Sequence, residues 1–282
     1  MNLFEEVEAL QRRAERIETP CGDGALVWHR WGPAAGAPVL LLHGGSGSWT
    51  HWLRNITALA DAGHSVLVPD LPGFGGSAPP PDGHDADVLP GWLEPGLQRL
   101  IGNQPVDLVG FSFGGLVAGL WAQARPARVA RLVLVGSPGL SDALLPPLDL
   151  RRWDALPAGP ARTAVHRHNL LQLMLAHDDA ATPLAVALHA ANVERDRLRR
   201  RRLMLTAALV PVLPALACPV HGIWGAQDVL YRHRLPLIGQ VLATAPGFQS
   251  LDLLPNAGHW VAFEAAGAFN AALAVALRAR AP

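Results

Sequence analysis

Ser112 lies in the run Gly110-Phe111-Ser112-Phe113-Gly114, directly after the apolar stretch Val106 to Val109 and ahead of a helical pattern that starts near Leu116. A serine hydroxyl is a weak nucleophile until a base takes its proton and a rigid backbone presents it. G-x-S-x-G between a strand and a helix supplies the presentation. The chain turns sharply, glycines fit where a side chain would collide, and the helix N-terminus offers a positive dipole to a developing anion. The five-residue pattern is common by itself, so its placement carries the weight. The base must in turn be oriented by an acid. Asp228 follows the apolar run Val220 to Trp224 through Gly225-Ala226-Gln227, and His259 follows Gln249 to Leu253 through Pro255-Asn256-Ala257-Gly258. Parallel strands end on one side of a sheet, which would bring Ser112, Asp228 and His259 together in the chain order serine, acid, histidine. Asp142, beyond the run Val129 to Val135, is the rival acid, but the short Gly-x-x-Asp turn at Asp228 is the tighter match.

The anion formed by such an attack needs backbone donors. Leu41-Leu42-His43-Gly44-Gly45-Ser46-Gly47 ends an earlier apolar run in a glycine-rich loop, and Gly45 N–H paired with Phe113 N–H would form an oxyanion hole. The same glycines could make an ordinary turn or a phosphate cradle. A phosphate loop would require a lysine in GxxxxGK[ST], and the chain contains no lysine. Among the other histidines, His43 is expected to brace the glycine loop. His51, His189 and His221 could line a pocket, with ordinary packing the commoner role, and His166, His168 and His177 fall in a helical segment.

The elements that must position these residues follow from the apolar pattern. Continuous runs at Pro38 to Leu42, Ser65 to Val68, Val106 to Val109 and Val129 to Val135 alternate with helical segments, as expected of a parallel sheet covered on both faces. Ala25 to Trp31 alternates more and precedes Gly32-Pro33, so it is expected to be an antiparallel strand near the sheet edge. From Pro138 to Pro214 the chain is proline-rich and then helical, before strands resume. The expected organisation is an α/β core of residues 1–137 and 215–282 with a helical cap at 138–214. Glu194-Arg195-Asp196-Arg197-Leu198 and Arg199 to Arg202 read as a solvated helix face rather than a nucleic-acid patch. Ala78-Pro79-Pro80-Pro81-Asp82-Gly83 reads as a surface loop.

Composition narrows the chemistry. The 282 residues are half hydrophobic and 16% charged, which excludes a disordered chain. Lys+Arg 23 balances Asp+Glu 23, so no global positive field exists to capture nucleic acid, and a small neutral molecule is the expected partner. Without lysine, Schiff-base catalysis is excluded. Cys21 and Cys218 stand outside any metal-ligand spacing, so neither a metal nor a cofactor is expected. The N-terminal stretch mixes charges where an export signal needs an apolar run, and no membrane-length apolar run occurs. A cytoplasmic enzyme is expected, and the composition is compatible with a homodimer.

With these elements in one order, the chain resembles the α/β-hydrolase superfamily over nearly its whole length. Asp70-Leu71-Pro72-Gly73-Phe74-Gly75-Gly76-Ser77 is similar to that family's D-x-P-G-x-G-x-S loop. His43-Gly44-Gly45-Ser46-Gly47-Ser48, Arg54-Asn55-Ile56 and Gly258-His259-Trp260 look most like the carbon–carbon bond hydrolases of meta-ring-fission products. The resemblance implies a catalytic triad of Ser112, Asp228 and His259 without a cofactor. Those hydrolases usually carry asparagine before the nucleophile, where this chain has Phe111. They also use a cap arginine for the dienoate, where a rough alignment puts His189. Phe111 cannot donate a hydrogen bond, so hydrolysis of a carboxylic ester is the leading expectation. Carbon–carbon bond hydrolysis and a non-catalytic ligand receptor on the same scaffold are the alternatives. Gly44, Trp49, Trp52, Phe111, His189 and Trp260 are the candidate pocket walls.

Overall fold

The computed structural model describes residues 3–142, 146–198 and 200–278. Its strands are β1 (Glu15–Cys21), β2 (Gly24–Trp31), β3 (Pro38–Leu42), β4 (Ser65–Pro69), β5 (Val106–Phe111), β6 (Val129–Val135), β7 (Val220–Gly225) and β8 (Phe248–Leu254). Helices α1 (Glu5–Arg12), α2 (Ile56–Asp61), α3 (Leu89–Ile101) and α4 (Phe113–Ala124) precede β6. Helices α5 (Pro160–Leu173) and α6 (Pro183–Glu194) lie between β6 and β7, and α7 (Leu235–Leu242), α8 (Val261–Glu264) and α9 (Ala266–Arg278) complete the chain. One eight-stranded sheet has the order β1-β2-β4-β3-β5-β6-β7-β8. It is parallel from β4 through β8, with β2 antiparallel to both β1 and β4.

The sequence pattern explains the layering. Every residue of β4 and β5 is buried, because helices cover both faces and no strand position meets water. The alternate residues of one strand feed two separate cores. Leu40 and Leu42 of β3 pack with Trp28 and Trp121 on one side, and Val39 and Leu41 pack with Trp52 and Phe269 on the other.

Two elements differ from the sequence expectation. The edge strand is β1, which the residue pattern conceals because Glu15, Arg16 and Glu18 are exposed charges that break any apolar alternation. Ala25 to Trp31 is antiparallel and near the sheet edge as expected, and β1 makes it the second strand, hydrogen-bonded on both sides. Helix α4 begins at Phe113, three residues ahead of the expected start, because the glycines of its first turn hide a helical signal while tertiary packing supplies the stability. Between β6 and β7 the described residues hold α5, α6 and short 3₁₀ turns, with no strand. Leu173, Met174, His189 and Val193 of this segment line one cavity with Gly44 and Ser112, which follow β3 and β5.

Candidate active site

At the end of β5 the backbone turns through Ser112 at φ +48° and ψ −120°, and α4 starts at the next residue. A non-glycine residue at positive φ costs about 1–3 kcal/mol and persists only where surrounding packing enforces it. Here the enforcement is close approach. A Cβ on Gly110 would lie 2.4 Å from Gly114 O, and one on Gly114 would lie 2.4 Å from Leu42 O. The turn thus seats the serine against the end of β3.

The turn leaves Ser112 Oγ 2.9 Å from His259 Nε2, and His259 Nδ1 lies 2.7 Å from Asp228 Oδ2. Asp228 is fully buried, and its other oxygen accepts the Leu230 N–H at 3.0 Å. With Nδ1–H donating to the carboxylate, Nε2 is free to accept the serine proton. Asp142 is exposed and stands apart from this chain of hydrogen bonds. The three residues expected from the sequence are therefore brought together, and the rival acid is not.

His259 is fixed from behind by a residue the sequence reading did not single out. The Glu264 carboxylate accepts N–H groups from Ala176 and His177 at 2.9 Å and from Gly258 at 2.6 Å. Trp260 N–H donates to Met174 O at 2.7 Å. The loop carrying the histidine is thereby stitched to the segment after α5. Nothing in the local sequence announces the link to Ala176 and His177, which lie 88 and 87 positions from Glu264.

The glycine loop after β3 is anchored equally firmly. His43 Nδ1–H donates to Gly44 O at 2.8 Å and its Nε2 accepts Leu71 N–H at 2.8 Å, which ties the loop to the Asp70–Ser77 connection. Burial first of all pushes the His43 pKa down to about 4, so the ring stays neutral in that role. Gly44 N–H is taken by His51 Nδ1 at 3.2 Å. The Phe113 N–H stands in the first turn of α4, where a helix leaves its donors without intrahelical acceptors. Gly45 and Ser112 both line the same cavity.

That cavity is about 530 Å³ and also includes Gly44, His51, Phe111, Leu173, Met174, His189, Val193, Leu230 and His259 in its walls. Gly44, Phe111 and His189 thus stand where the sequence reading put them. Three expected walls do not. Trp49 packs 5.4 Å from both His29 and Trp31 of β2 and does not line the cavity. Trp52 is fully buried against Phe111 and Phe269. Trp260 stacks on Phe263 at 4.2 Å and donates its Nε1–H to His51 O, one layer behind the cavity. An aromatic near a motif in sequence says nothing about which face of its element it occupies.

The arginine-rich stretch is the largest correction. It is not a solvated helix face: α6 ends at Glu194, and Asp196 is buried beneath the turns that follow. Arg201 donates to Asp196 Oδ2 at 2.7 Å and to Ser46 Oγ at 3.2 Å, and Ser46 Oγ donates to Asp196 at 2.6 Å. The Arg201 guanidinium lies 3.4 Å from where a Cβ on Gly45 would stand, so it borders the site directly. Arg197 donates to carbonyls of the Phe74–Ser77 loop. Arg199 lies outside the described residues. The paired acid, Asp196, was the available signal that this stretch folds back on itself.

Among the described residues no group of His, Cys, Asp and Glu forms a metal-binding cluster. No helix among them is long and apolar enough to cross a membrane. Residues 37–184 match the alpha/beta hydrolase fold family. The chain is 29% identical over 251 residues to a 2-hydroxy-6-oxononadienedioate/2-hydroxy-6-oxononatrienedioate hydrolase of Comamonas testosteroni, covering 83% of this chain and 85% of that one. In structure it is similar to the carboxylesterase CesB of Bacillus subtilis, with a TM-score of 0.80 at 20% identity over 98% of this chain and 96% of that one. It is also similar to the meta-cleavage product hydrolase CumD of Pseudomonas fluorescens, with a TM-score of 0.75 at 22% identity over 93% and 97% of the two chains. The matched region contains the glycine loop, the Ser112 turn and the strands beneath them, and the chain belongs to the alpha/beta hydrolase fold family.

Proposed function

We propose that this chain is a serine hydrolase acting on a small, largely apolar carbonyl compound, a carboxylic ester first of all. The observation that carries the reading is the hydrogen-bonded line from Ser112 through His259 to the fully buried Asp228. Ser112 Oγ attacks the carbonyl carbon while His259 Nε2 takes its proton. Asp228 stabilises the imidazolium, and the N–H groups of Gly45 and Phe113 receive the oxyanion. His259 then returns the proton to the leaving oxygen, and a water repeats the sequence to release the acid. Helices α5 and α6 with their connections, residues 138–214, act as the cap that selects substrate.

Neutral substrates fit the electrostatics. Three arginines line the cavity, and each already has a carboxylate partner: Arg201 pairs with buried Asp196, Arg152 with Asp154 and Arg151 with Asp149, so a substrate carboxylate would compete with a protein carboxylate for any of them. A second reading, carbon–carbon bond cleavage next to a ketone in an acidic substrate, is favoured by Arg201 bordering Gly45 and by the name of the Comamonas testosteroni relative. Side-by-side kcat/KM values for a p-nitrophenyl ester and a ring-fission dienoate separate the two readings. An ester preference supports the first, whereas a dienoate preference of about 100-fold, or about 2.7 kcal/mol, establishes the second. Absence of turnover with both, together with an unreactive Ser112, would indicate a ligand receptor instead. Two free, buried cysteines fit a reducing cytoplasm as the site of action.

A further inference from the structure

His51 lies beneath the glycine loop and is 4% exposed, yet it forms part of the substrate cavity. Its environment fixes both ring nitrogens. Gly44 N–H donates to Nδ1 at 3.2 Å, so Nδ1 is the unprotonated nitrogen and Nε2 carries the hydrogen. A Cβ on Gly47 would stand 2.4 Å from Cε1 and 2.5 Å from Nδ1, so that glycine lets the Nδ1 edge press against the loop. His51 lines the cavity, and Nε2 is the ring nitrogen that the loop does not take. Among the described residues no protein group accepts the Nε2 hydrogen, and this atom is not among the sealed polar atoms that lack a partner. The ring cannot swing away, because Phe111 and Trp260 flank it at 5.5 and 5.1 Å and Trp260 Nε1–H holds its carbonyl.

Burial first, then the neighbouring His43, His189 and His259, drives the His51 pKa well below 6.5. The ring is thus neutral wherever an esterase would be assayed. A neutral imidazole locked in one tautomer is a poor general base, since its only cavity-facing nitrogen is already protonated. It is instead a fixed donor beside the apolar Phe111, Leu173, Met174, Val193 and Leu230, in a cavity whose other polar side chains include Asn169, His189 and Arg201. A donor that opens only to the cavity finds a protein-independent acceptor when a bound molecule brings an oxygen to it.

We propose that His51 is a substrate-binding residue whose Nε2–H, locked by the Gly44 N–H on the opposite nitrogen, hydrogen-bonds an oxygen acceptor in the substrate's acyl portion. The same contact has a second consequence for the loop: with Gly44 N–H occupied by His51, the oxyanion donor from this loop is Gly45. The inference rests on the hydrolase reading and adds to it what the acyl group carries. The substrate class is an ester or ketone with an ether, hydroxyl or second carbonyl oxygen near the scissile carbonyl, in preference to a plain hydrocarbon chain.

The test uses p-nitrophenyl esters in isosteric pairs, methoxyacetate with butanoate and 3-methoxypropanoate with pentanoate, each pair exchanging one methylene for oxygen. Each kcat/KM is divided by the alkaline hydrolysis rate of the same ester. Wild type should favour the oxygen member of at least one pair by about five- to tenfold, the span of a net hydrogen bond. His51→Leu should remove that preference. His51→Asn should remove it too, because Asn places its oxygen near the Nδ1 position and braces Gly44 without reaching the cavity. It should therefore retain more kcat on butanoate than His51→Leu does. His51→Gln, which carries an amide N–H toward the Nε2 position, should recover part of the preference. An unchanged oxygen preference in His51→Leu, or no preference in wild type for either pair, overturns the proposal while leaving the hydrolase reading intact. Failure of every ester, with Ser112 unreactive, fails the hydrolase reading instead. Long-range ¹⁵N–¹H correlation on the folded wild-type protein, with His51→Gln for assignment, reads the tautomer without any activity. It should show a neutral Nε2–H ring for His51, and an Nδ1–H tautomer or an imidazolium at neutral pH overturns the proposal.

Discussion

Replacing Asp228 by asparagine should disable the enzyme without unfolding it, and the direction of the amide can be worked out in advance. Asp228 Oδ1 accepts the Leu230 N–H at 3.0 Å, whereas Oδ2 faces His259 Nδ1 at 2.7 Å. Leu230 N–H requires an acceptor, so the asparagine carbonyl must take that side and its NH₂ must face the imidazole. The imidazole then becomes the acceptor at Nδ1 and carries its hydrogen on Nε2, the nitrogen that has to take the serine proton. A tautomer of the wrong sense costs about 10⁴ in kcat in serine triads, or about 5.5 kcal/mol of transition-state stabilisation. Volume is conserved and both hydrogen bonds are retained in number, so the melting temperature should move by only a few degrees. The assay is kcat on p-nitrophenyl acetate beside a thermal melt, with Asp142→Asn as the exposed control that should stay within about twofold. An Asp228→Asn variant that keeps a tenth of wild-type kcat would refute the reasoning. So would Asp142→Asn as the more damaging change.

Other outcomes follow from the same geometry. Gly114→Ala should destabilise the fold by about 2 kcal/mol or more in urea titration, because its Cβ would sit 2.4 Å from Leu42 O and 2.5 Å from His43 O, rigid backbone atoms that cannot yield. Glu264→Ala should lower both stability and kcat, since the amides of Ala176, His177 and Gly258 lose a charged acceptor and the His259 loop loses its tether. Equal kcat for that variant and wild type would show that the tether is not needed for catalysis. Acid should weaken the fold through His29 and His43, each buried and each held at a pKa of about 4 against 6.5. The unfolded chain binds protons that the fold refuses, so stability is complete above about pH 6.5 and falls through about pH 4. The loss is up to about 3 kcal/mol for each ring, visible as a falling urea midpoint between pH 7 and pH 4.5. Trp49→Phe should alter the melting temperature while leaving KM for p-nitrophenyl butanoate unchanged, because Trp49 packs against His29 and Trp31 away from the cavity.

The sheet and the triad were legible because each depends on a short stretch of chain. Buried strands such as β3 and β6 announce themselves as unbroken apolar runs, and Asp228 and His259 each follow a strand end through a brief loop. What was illegible depends on pairing across long distances. Strand β1 looked like a charged N-terminal segment because an edge strand keeps one side in water. Trp49 and Trp260 sit beside functional motifs in sequence, yet their elements turn them into the core, a choice that neighbouring residues do not encode. Arg201 reaches Ser46 across 155 positions, and that contact converts an apparent surface charge run into a wall of the site. The His51 tautomer is set by one backbone N–H, a relation visible only once the glycine loop has its shape.

The central claim is that Ser112 is a nucleophile activated through His259, and intact-protein mass spectrometry after treatment with a fluorophosphonate tests it most directly. The account predicts one stoichiometric phosphonyl adduct on wild type, mapped to Ser112 by peptide analysis. It also predicts no adduct on Ser112→Ala and much slower labelling of His259→Ala, because the hydroxyl 2.9 Å from Nε2 is then without its base. A wild-type protein that is folded by its melt yet stays unlabelled, or an adduct of equal yield on Ser112→Ala, would contradict it.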